Sequence, residues 1–143
     1  MTLAYFDTSV LVKNYIQEKG SRRARALLRR YSFLSSAITP VELMSALTKK
    51  QSMGELIAED LPAVLARVRE DRPYWKLVDV SANVLDKGED LVQETRMRTL
   101  DAIHLASLVL FKAASGARSP FVTADARQHE AALQLRVEVI WVG

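Results

Sequence analysis

Short apolar runs alternate with longer amphipathic segments along almost the whole chain, and this alternation limits the folds that the chain can adopt. The runs are rich in β-branched and aromatic residues, which is typical of buried strands. The predicted strands are residues 3–6, 33–38, 76–80, 121–123 and 137–142. The segments between them are long enough to cross over a sheet, so the strands are expected to be parallel. The sequence therefore predicts an α/β fold, with helices on both faces of the sheet.

Helix signals fill the segments between the strands. Thr39 is the predicted N-cap of one helix, and Glu42 would complete a capping box with it. Ser81 and Thr99 are the predicted N-caps of two later helices, and the second of these, residues 100–115, is apolar on nearly all sides. Such a helix is expected to lie at the centre of the fold. The predicted helices are residues 10–15, 21–31, 40–52, 55–71, 82–96, 100–115 and 125–134.

Length and composition indicate a globular protein. A chain of 143 residues is a common size for one domain, so we expect residues 1–143 to form a single domain. There is no cysteine, which excludes disulfides and thiolate metal sites. The longest apolar run, residues 103–114, is too short to span a bilayer, and the N-terminus lacks a basic leader. We therefore expect a cytoplasmic protein without a membrane span.

Acidic residues occur where the predicted strands end. Asp7 follows the first strand, Glu42 opens the helix after the second, and Asp125 follows the fourth. In a parallel sheet these positions meet at one edge, which is where ligands bind. Asp101 joins them from the start of the apolar helix, where an unpaired buried carboxylate would be costly.

Four carboxylates in one pocket repel each other, and a divalent cation removes the conflict. Oxygen ligands favour Mg²⁺ or Mn²⁺, and the lack of cysteine disfavours zinc. With a phosphodiester as substrate, such an ion would activate water for hydrolysis. An ordinary structural explanation stays open, because all four acids also lie near predicted helix N-termini, where acids act as caps.

Four segments resemble, in chain order, the acidic motifs of PIN-domain nucleases: FDTSVLVKNY, ITPVELMSAL, RTLDAIHLASL and FVTADARQHEAALQL. The similarity covers nearly the whole chain and is greatest to the VapC-type toxins of bacterial toxin–antitoxin pairs. The resemblance implies a PIN-like five-stranded parallel sheet, a homodimer, and Mg²⁺- or Mn²⁺-dependent endoribonuclease activity that a cognate antitoxin inhibits. It is weakest over residues 55–73, where Pro62 should either break the helix or fall just after its start near Asp60.

Carried over residue by residue, the resemblance implies that Asp7 and Asp101 bind the metal directly. Glu42 and Asp125 would complete the acidic pocket, either directly or through water. Three hydroxyl side chains would add contacts to the metal shell or the phosphate: Thr8, Ser9 and Thr123.

Other residues have weaker claims to a role. His104 could shuttle protons, but a hydrogen-bonded histidine packed beside the site is the better interpretation. The arginines of residues 21–30 could follow an RNA backbone, although a solvated helix face explains them slightly better. Three aromatic residues could stack on bases, although core or dimer packing is preferred: Tyr74, Trp75 and Trp141.

Three alternative functions compete with the toxin hypothesis. The chain could be a housekeeping RNA-processing nuclease without an antitoxin, or a non-catalytic module that binds RNA or protein. It could also be a phosphotransferase with Asp7 as nucleophile, but that chemistry typically uses a second acid two residues later, where this chain has Ser9.

Overall fold

The computed structural model describes residues 1–56 and 60–143. Its strands are β1 (Leu3–Phe6), β2 (Ser32–Ser36), β3 (Lys76–Val78), β4 (Phe121–Thr123) and β5 (Val139–Trp141). Its α-helices are α1 (Thr8–Tyr15), α2 (Ser21–Arg30), α3 (Thr39–Ser52), α4 (Leu61–Asp71), α5 (Ala82–Thr95), α6 (Thr99–Ser115) and α7 (Ala126–Gln134). The predicted alternation of strands and helices is confirmed.

The strands form one sheet in the order β3-β2-β1-β4-β5, and each neighbouring pair among the described residues is parallel. On the central strand β1, Tyr5 lies opposite Leu34 of β2 and Phe121 of β4. The strands β2 and β3 follow β1 on one side of the sheet, whereas β4 and β5 lie on the other side of β1. The carboxyl ends of β1 and β4 therefore flank the switch point of the sheet, where ligands bind in open α/β folds.

The core has two buried clusters because β1 points alternate side chains to opposite faces of the sheet. Phe6 belongs to a cluster with residues of α1 to α4, including Leu11 and Leu43. Tyr5 belongs to the other cluster, with residues of α5 to α7 that include Leu91 and Leu105. Helices thus cover both faces, as the sequence predicts.

Helix α6 is central, as expected from its composition: the seven consecutive residues Ala102–Leu108 are all buried. Gly116 ends the helix in the left-handed conformation, with φ of 69°. Within residues 1–56 and 60–143, the structure has no helix with the length and apolar character needed to cross a membrane.

Two of the predicted helix caps are wrong. Thr39 is the first residue of α3 and not its N-cap. Its hydroxyl lies 2.6 Å from the Ser35 hydroxyl of β2 and does not cap the helix. Thr99 is likewise the first residue of α6, after an extended Arg98. The cap at Ser81 is confirmed, because its hydroxyl accepts a hydrogen bond from the Val84 backbone at 3.2 Å.

Several predicted boundaries move. Strand β2 ends two residues earlier than expected because the Ser36 hydroxyl accepts a hydrogen bond from the Ile38 backbone and turns the chain. The edge strands β3 and β5 are also shorter than predicted, with three residues each. Pro62 lies in the first turn of α4, so this helix starts just after Asp60. Residues 57–59 of the predicted helix lie outside the described residues.

The aromatic residues expected to pack take different positions. Trp75 packs against Phe33, with ring centroids 5.3 Å apart, and Trp141 stacks on His129 at 4.8 Å. Tyr74 is 85% exposed, so it does not pack in the core, and dimer packing stays a prediction for this residue.

Candidate active site

Asp7 lies at the carboxyl end of β1 and caps α1. Its Oδ1 accepts hydrogen bonds from the Ser9 backbone at 3.0 Å and from the Ser9 hydroxyl. Its Oδ2 accepts one from the Thr123 hydroxyl at 2.5 Å, across the switch point from β4. The Ser9 hydroxyl in turn accepts from the Ala124 backbone at 3.0 Å. These hydrogen bonds fix the orientation of the Asp7 carboxylate, and the residue is only 3% exposed.

Burial raises the pKa of Asp7 to about 6, although the hydrogen bonds from Ser9 and Thr123 act in the opposite direction. Attraction to His104 also lowers this pKa, and repulsion from Asp125 raises it. The position therefore disfavours the charged carboxylate unless a cation is near.

Glu42 does not form the predicted capping box. Its Oε1 accepts hydrogen bonds from the Thr8 hydroxyl at 2.7 Å and from Nε2 of His104 at 2.5 Å, so the side chain crosses to α1 and α6 and does not turn back to Thr39. Burial raises the pKa of Glu42, but the bonds from His104 and Thr8 and the attraction to His104 outweigh it and hold the pKa below its usual range. Glu42 is therefore ionised at neutral pH.

His104 is packed beside the site and hydrogen-bonded, as the sequence interpretation favours. The residue is 2% exposed, and its Nδ1 lies 2.8 Å from the Tyr5 hydroxyl. Its Nε2 donates to Glu42, and its Nδ1 shares a hydrogen bond with the Tyr5 hydroxyl. The imidazole joins the core to the acidic side chains.

Asp101 and Asp125 share a cationic neighbour that the sequence did not single out. Arg98 Nε lies 3.2 Å from Asp101 Oδ2, and Arg98 Nη2 lies 3.8 Å from Asp125 Oδ2. Asp125 also caps α7, since its Oδ1 accepts from the backbone of Arg127 at 2.8 Å and of Gln128 at 3.3 Å. The Asp125 carboxylate can therefore cap α7 and contact Arg98 at the same time.

All four acids line one cavity of about 660 Å³ at the switch point, together with Thr8, Ser9, His104 and Gln128. Thr123 is fully buried and contacts Asp7 from beneath. Gln128 is 2% exposed, donates from Nε2 to the Asp101 carbonyl at 3.3 Å, and has no partner for its buried Oε1 among the described residues. Neither Gln128 nor Arg98 carries a local sequence signal, because both reach the cavity only through helix packing.

The donor set fits a hard divalent cation. The cavity offers carboxylate oxygens from four residues, and Asp7 lies where a positive charge would stabilise its ionised form. As these side chains stand, no group of three His, Asp or Glu residues in the described ranges is arranged closely enough to hold an ion. The assignment of ligands stays a prediction.

The parallel sheet and the acidic cavity at its switch point define a class of α/β protein with a carboxylate-rich site. The PIN domain family matches residues 4–133, and the chain belongs to this family. The resemblance seen in the sequence motifs is thereby confirmed. No curated protein sequence matches the chain at a significant level.

Two solved structures share the fold. One is a toxin–antitoxin complex from Klebsiella pneumoniae, with 21% identity, a TM-score of 0.68, and coverage of 96% of this chain and 95% of that chain. The other is VapBC2 from Rickettsia felis bound to a DNA fragment from their promoter, with 12% identity, a TM-score of 0.67, and coverage of 98% of each chain. At such identities the similarity establishes the fold.

Proposed function

We propose that the protein is a Mg²⁺- or Mn²⁺-dependent endoribonuclease and the toxin of a toxin–antitoxin pair. The single observation that carries the proposal is the convergence of Asp7, Glu42, Asp101 and Asp125 on one cavity at the switch point. Membership of the PIN domain family supports nuclease chemistry. The two structural neighbours come from toxin–antitoxin complexes, which supports a cognate antitoxin as partner. In this proposal the protein acts in the cytoplasm as a homodimer.

Asp7 and Asp101 would hold the ion, with Glu42 and Asp125 bound to it directly or through water. When bound, the ion supplies a Lewis acid that orients the phosphodiester and lowers the pKa of an attacking water. Ser9 and Thr123 fix the Asp7 carboxylate by three hydrogen bonds.

Glu42 has a separate task. Because His104 and Thr8 both donate to Oε1 of Glu42, its Oε2 is left to orient water in the cavity. The low pKa of Glu42 keeps that oxygen an acceptor at neutral pH.

The nuclease proposal is tested by incubating a structured RNA with purified wild type, Asp7→Asn and Asp101→Asn, in Mg²⁺, Mn²⁺ or EDTA. Glu89→Gln, on the exposed face of α5, serves as the control because it also removes one negative charge. We expect each aspartate variant to lose about a hundredfold or more in cleavage rate, and EDTA to abolish cleavage. Cleavage that survives chelation or either aspartate substitution contradicts the proposal.

The toxin assignment has its own test. Expression of the wild-type chain without a partner is expected to halt bacterial growth, and expression of Asp101→Asn is not. Normal growth with an enzyme that is active in vitro overturns the toxin assignment and favours an RNA-processing nuclease that works without an antitoxin.

A further inference from the structure

A second cavity adjoins the acidic one and is lined by basic side chains. It measures about 470 Å³, and Arg96, Arg98 and Arg127 contribute to its walls. We call it the arginine cavity. It shares Arg98 and Asp101 with the acidic cavity, so the two cavities lie side by side. Glu130 is the other acidic residue in its lining.

Three separate positions in the fold supply these arginines. Arg96 follows α5 in the left-handed conformation, with φ of 59°, and Arg98 precedes α6. Arg127 lies in the first turn of α7. Arg96 and Arg127 are exposed, and neither guanidinium has a salt bridge or hydrogen bond within residues 1–56 and 60–143. Two cationic groups are therefore free to receive an anionic ligand.

We propose that the arginine cavity binds phosphate groups of the RNA strand that flank the phosphodiester in the acidic cavity. This inference rests on the proposed nuclease function, because it identifies a subsite for the same substrate. A guanidinium presents a planar set of donors that matches phosphate oxygens. Because the two cavities share a wall, a strand whose backbone crosses from one to the other meets carboxylates first and arginines next.

The arginines that the sequence suggested for this task lie elsewhere. Arg25 and Arg29 of α2 line a separate cavity with Ser32 and Phe33, which are at the amino end of β2. The acidic cavity lies at the opposite, carboxyl edge of the sheet. Arg30 lines a cavity with Thr2 and Pro120, which precede β1 and β4. Arg29 and Arg30 therefore provide a control for charge removed at the other edge of the sheet.

The test measures binding of a fluorescently labelled single-stranded RNA oligonucleotide by anisotropy, with Ca²⁺ replacing Mg²⁺ to suppress cleavage. The variant is the double substitution Arg96→Gln/Arg127→Gln. The matched control, Arg29→Gln/Arg30→Gln at the end of α2, removes the same net charge at the amino edge of the sheet. The dissociation constant is measured over a range of salt concentrations, because each phosphate contact to a single strand contributes about 0.7 to the salt slope. Thermal unfolding of both variants verifies that they are folded.

We expect the arginine-cavity variant to bind RNA about tenfold more weakly than the control. The salt slope of its dissociation constant should be smaller than that of the control by about 1.4, the value for two lost phosphate contacts. Equal affinities and slopes for the two variants overturn the inference. RNA binding is measured without cleavage, so this test is independent of the nuclease proposal. If the wild type never cleaves RNA but the two variants still differ in salt slope, the nuclease proposal fails and the arginine cavity remains a nucleic-acid site.

Discussion

His104 Nε2 lies 2.5 Å from Glu42 Oε1, and Nδ1 of the same ring lies 2.8 Å from the Tyr5 hydroxyl. A buried imidazole on α6 therefore sets the direction of a carboxylate on α3 and is itself oriented by β1. This chain of contacts explains why Glu42 points into the cavity and does not cap its own helix.

The role of His104 predicts different effects for two substitutions. His104→Ala removes the imidazole that the buried Tyr5 hydroxyl contacts and opens a cavity, so we expect the free energy of unfolding to fall by about 2–4 kcal/mol. His104→Gln retains a donor toward Glu42 and should lose less. Urea denaturation measures the stability of both variants.

Cleavage kinetics separate positioning from packing at the same residue. If His104 positions Glu42, His104→Ala lowers kcat more than it changes KM, and His104→Gln recovers part of kcat. Leu105→Ala is the control, since it opens a cavity on the same helix and should cost about 2–4 kcal/mol in stability without lowering kcat. Equal kcat values for wild type and His104→Ala contradict a positioning role.

Asp7 should destabilise the metal-free protein at neutral pH. Its pKa is about 6 in the folded state against an ordinary 3.8, so the folded state binds the proton more tightly. Unfolding free energy is therefore predicted to fall as pH rises between these two pKa values, and to stay low above the folded-state value. Asp7→Asn removes this charge and should stabilise the protein in EDTA at neutral pH by about 1–2 kcal/mol.

Denaturation in EDTA at several pH values tests this expectation. Asp86→Asn, on the exposed face of α5, is the control and should leave stability within about 0.5 kcal/mol of wild type. An Asp7→Asn variant that is less stable than wild type at neutral pH contradicts the electrostatic account of this position.

Arg98 is predicted to compete with a metal ion for the carboxylates. Its guanidinium contacts Oδ2 of both Asp101 and Asp125, and its side chain is 62% exposed, so it can leave the cavity at small cost. Arg98→Gln should bind Mn²⁺ about three- to tenfold more tightly by titration calorimetry, whereas Arg118→Gln, near the amino end of β4, should not. Weaker Mn²⁺ binding by Arg98→Gln contradicts competition.

The sequence predicts the positions of the four acids well because each follows from local pattern and topology. Asp7 and Asp125 stand at clear ends of strands, and parallel crossovers bring such ends to one edge. The central helix α6 is equally predictable, because only a buried helix is apolar on all sides. These features depend on residues close together in the chain.

The partners of the acids were harder to predict because they depend on tertiary packing. Glu42 fits a capping box locally, yet its partner His104 is 62 residues away. Thr39 fits an N-cap, but a buried hydroxyl on β2 engages it. Arg98 and Gln128 reach the cavity from helix starts whose orientations no local pattern specifies.

The proposed role of Asp7 and Asp101 is to hold a divalent ion in the acidic cavity. Isothermal titration with Mn²⁺ tests it most directly, using wild type, Asp7→Asn, Asp101→Asn and the surface control Glu89→Gln. We expect saturable binding by wild type and Glu89→Gln, and a loss of about tenfold or more in affinity for both aspartate variants. Unchanged Mn²⁺ affinity in either aspartate variant contradicts this role.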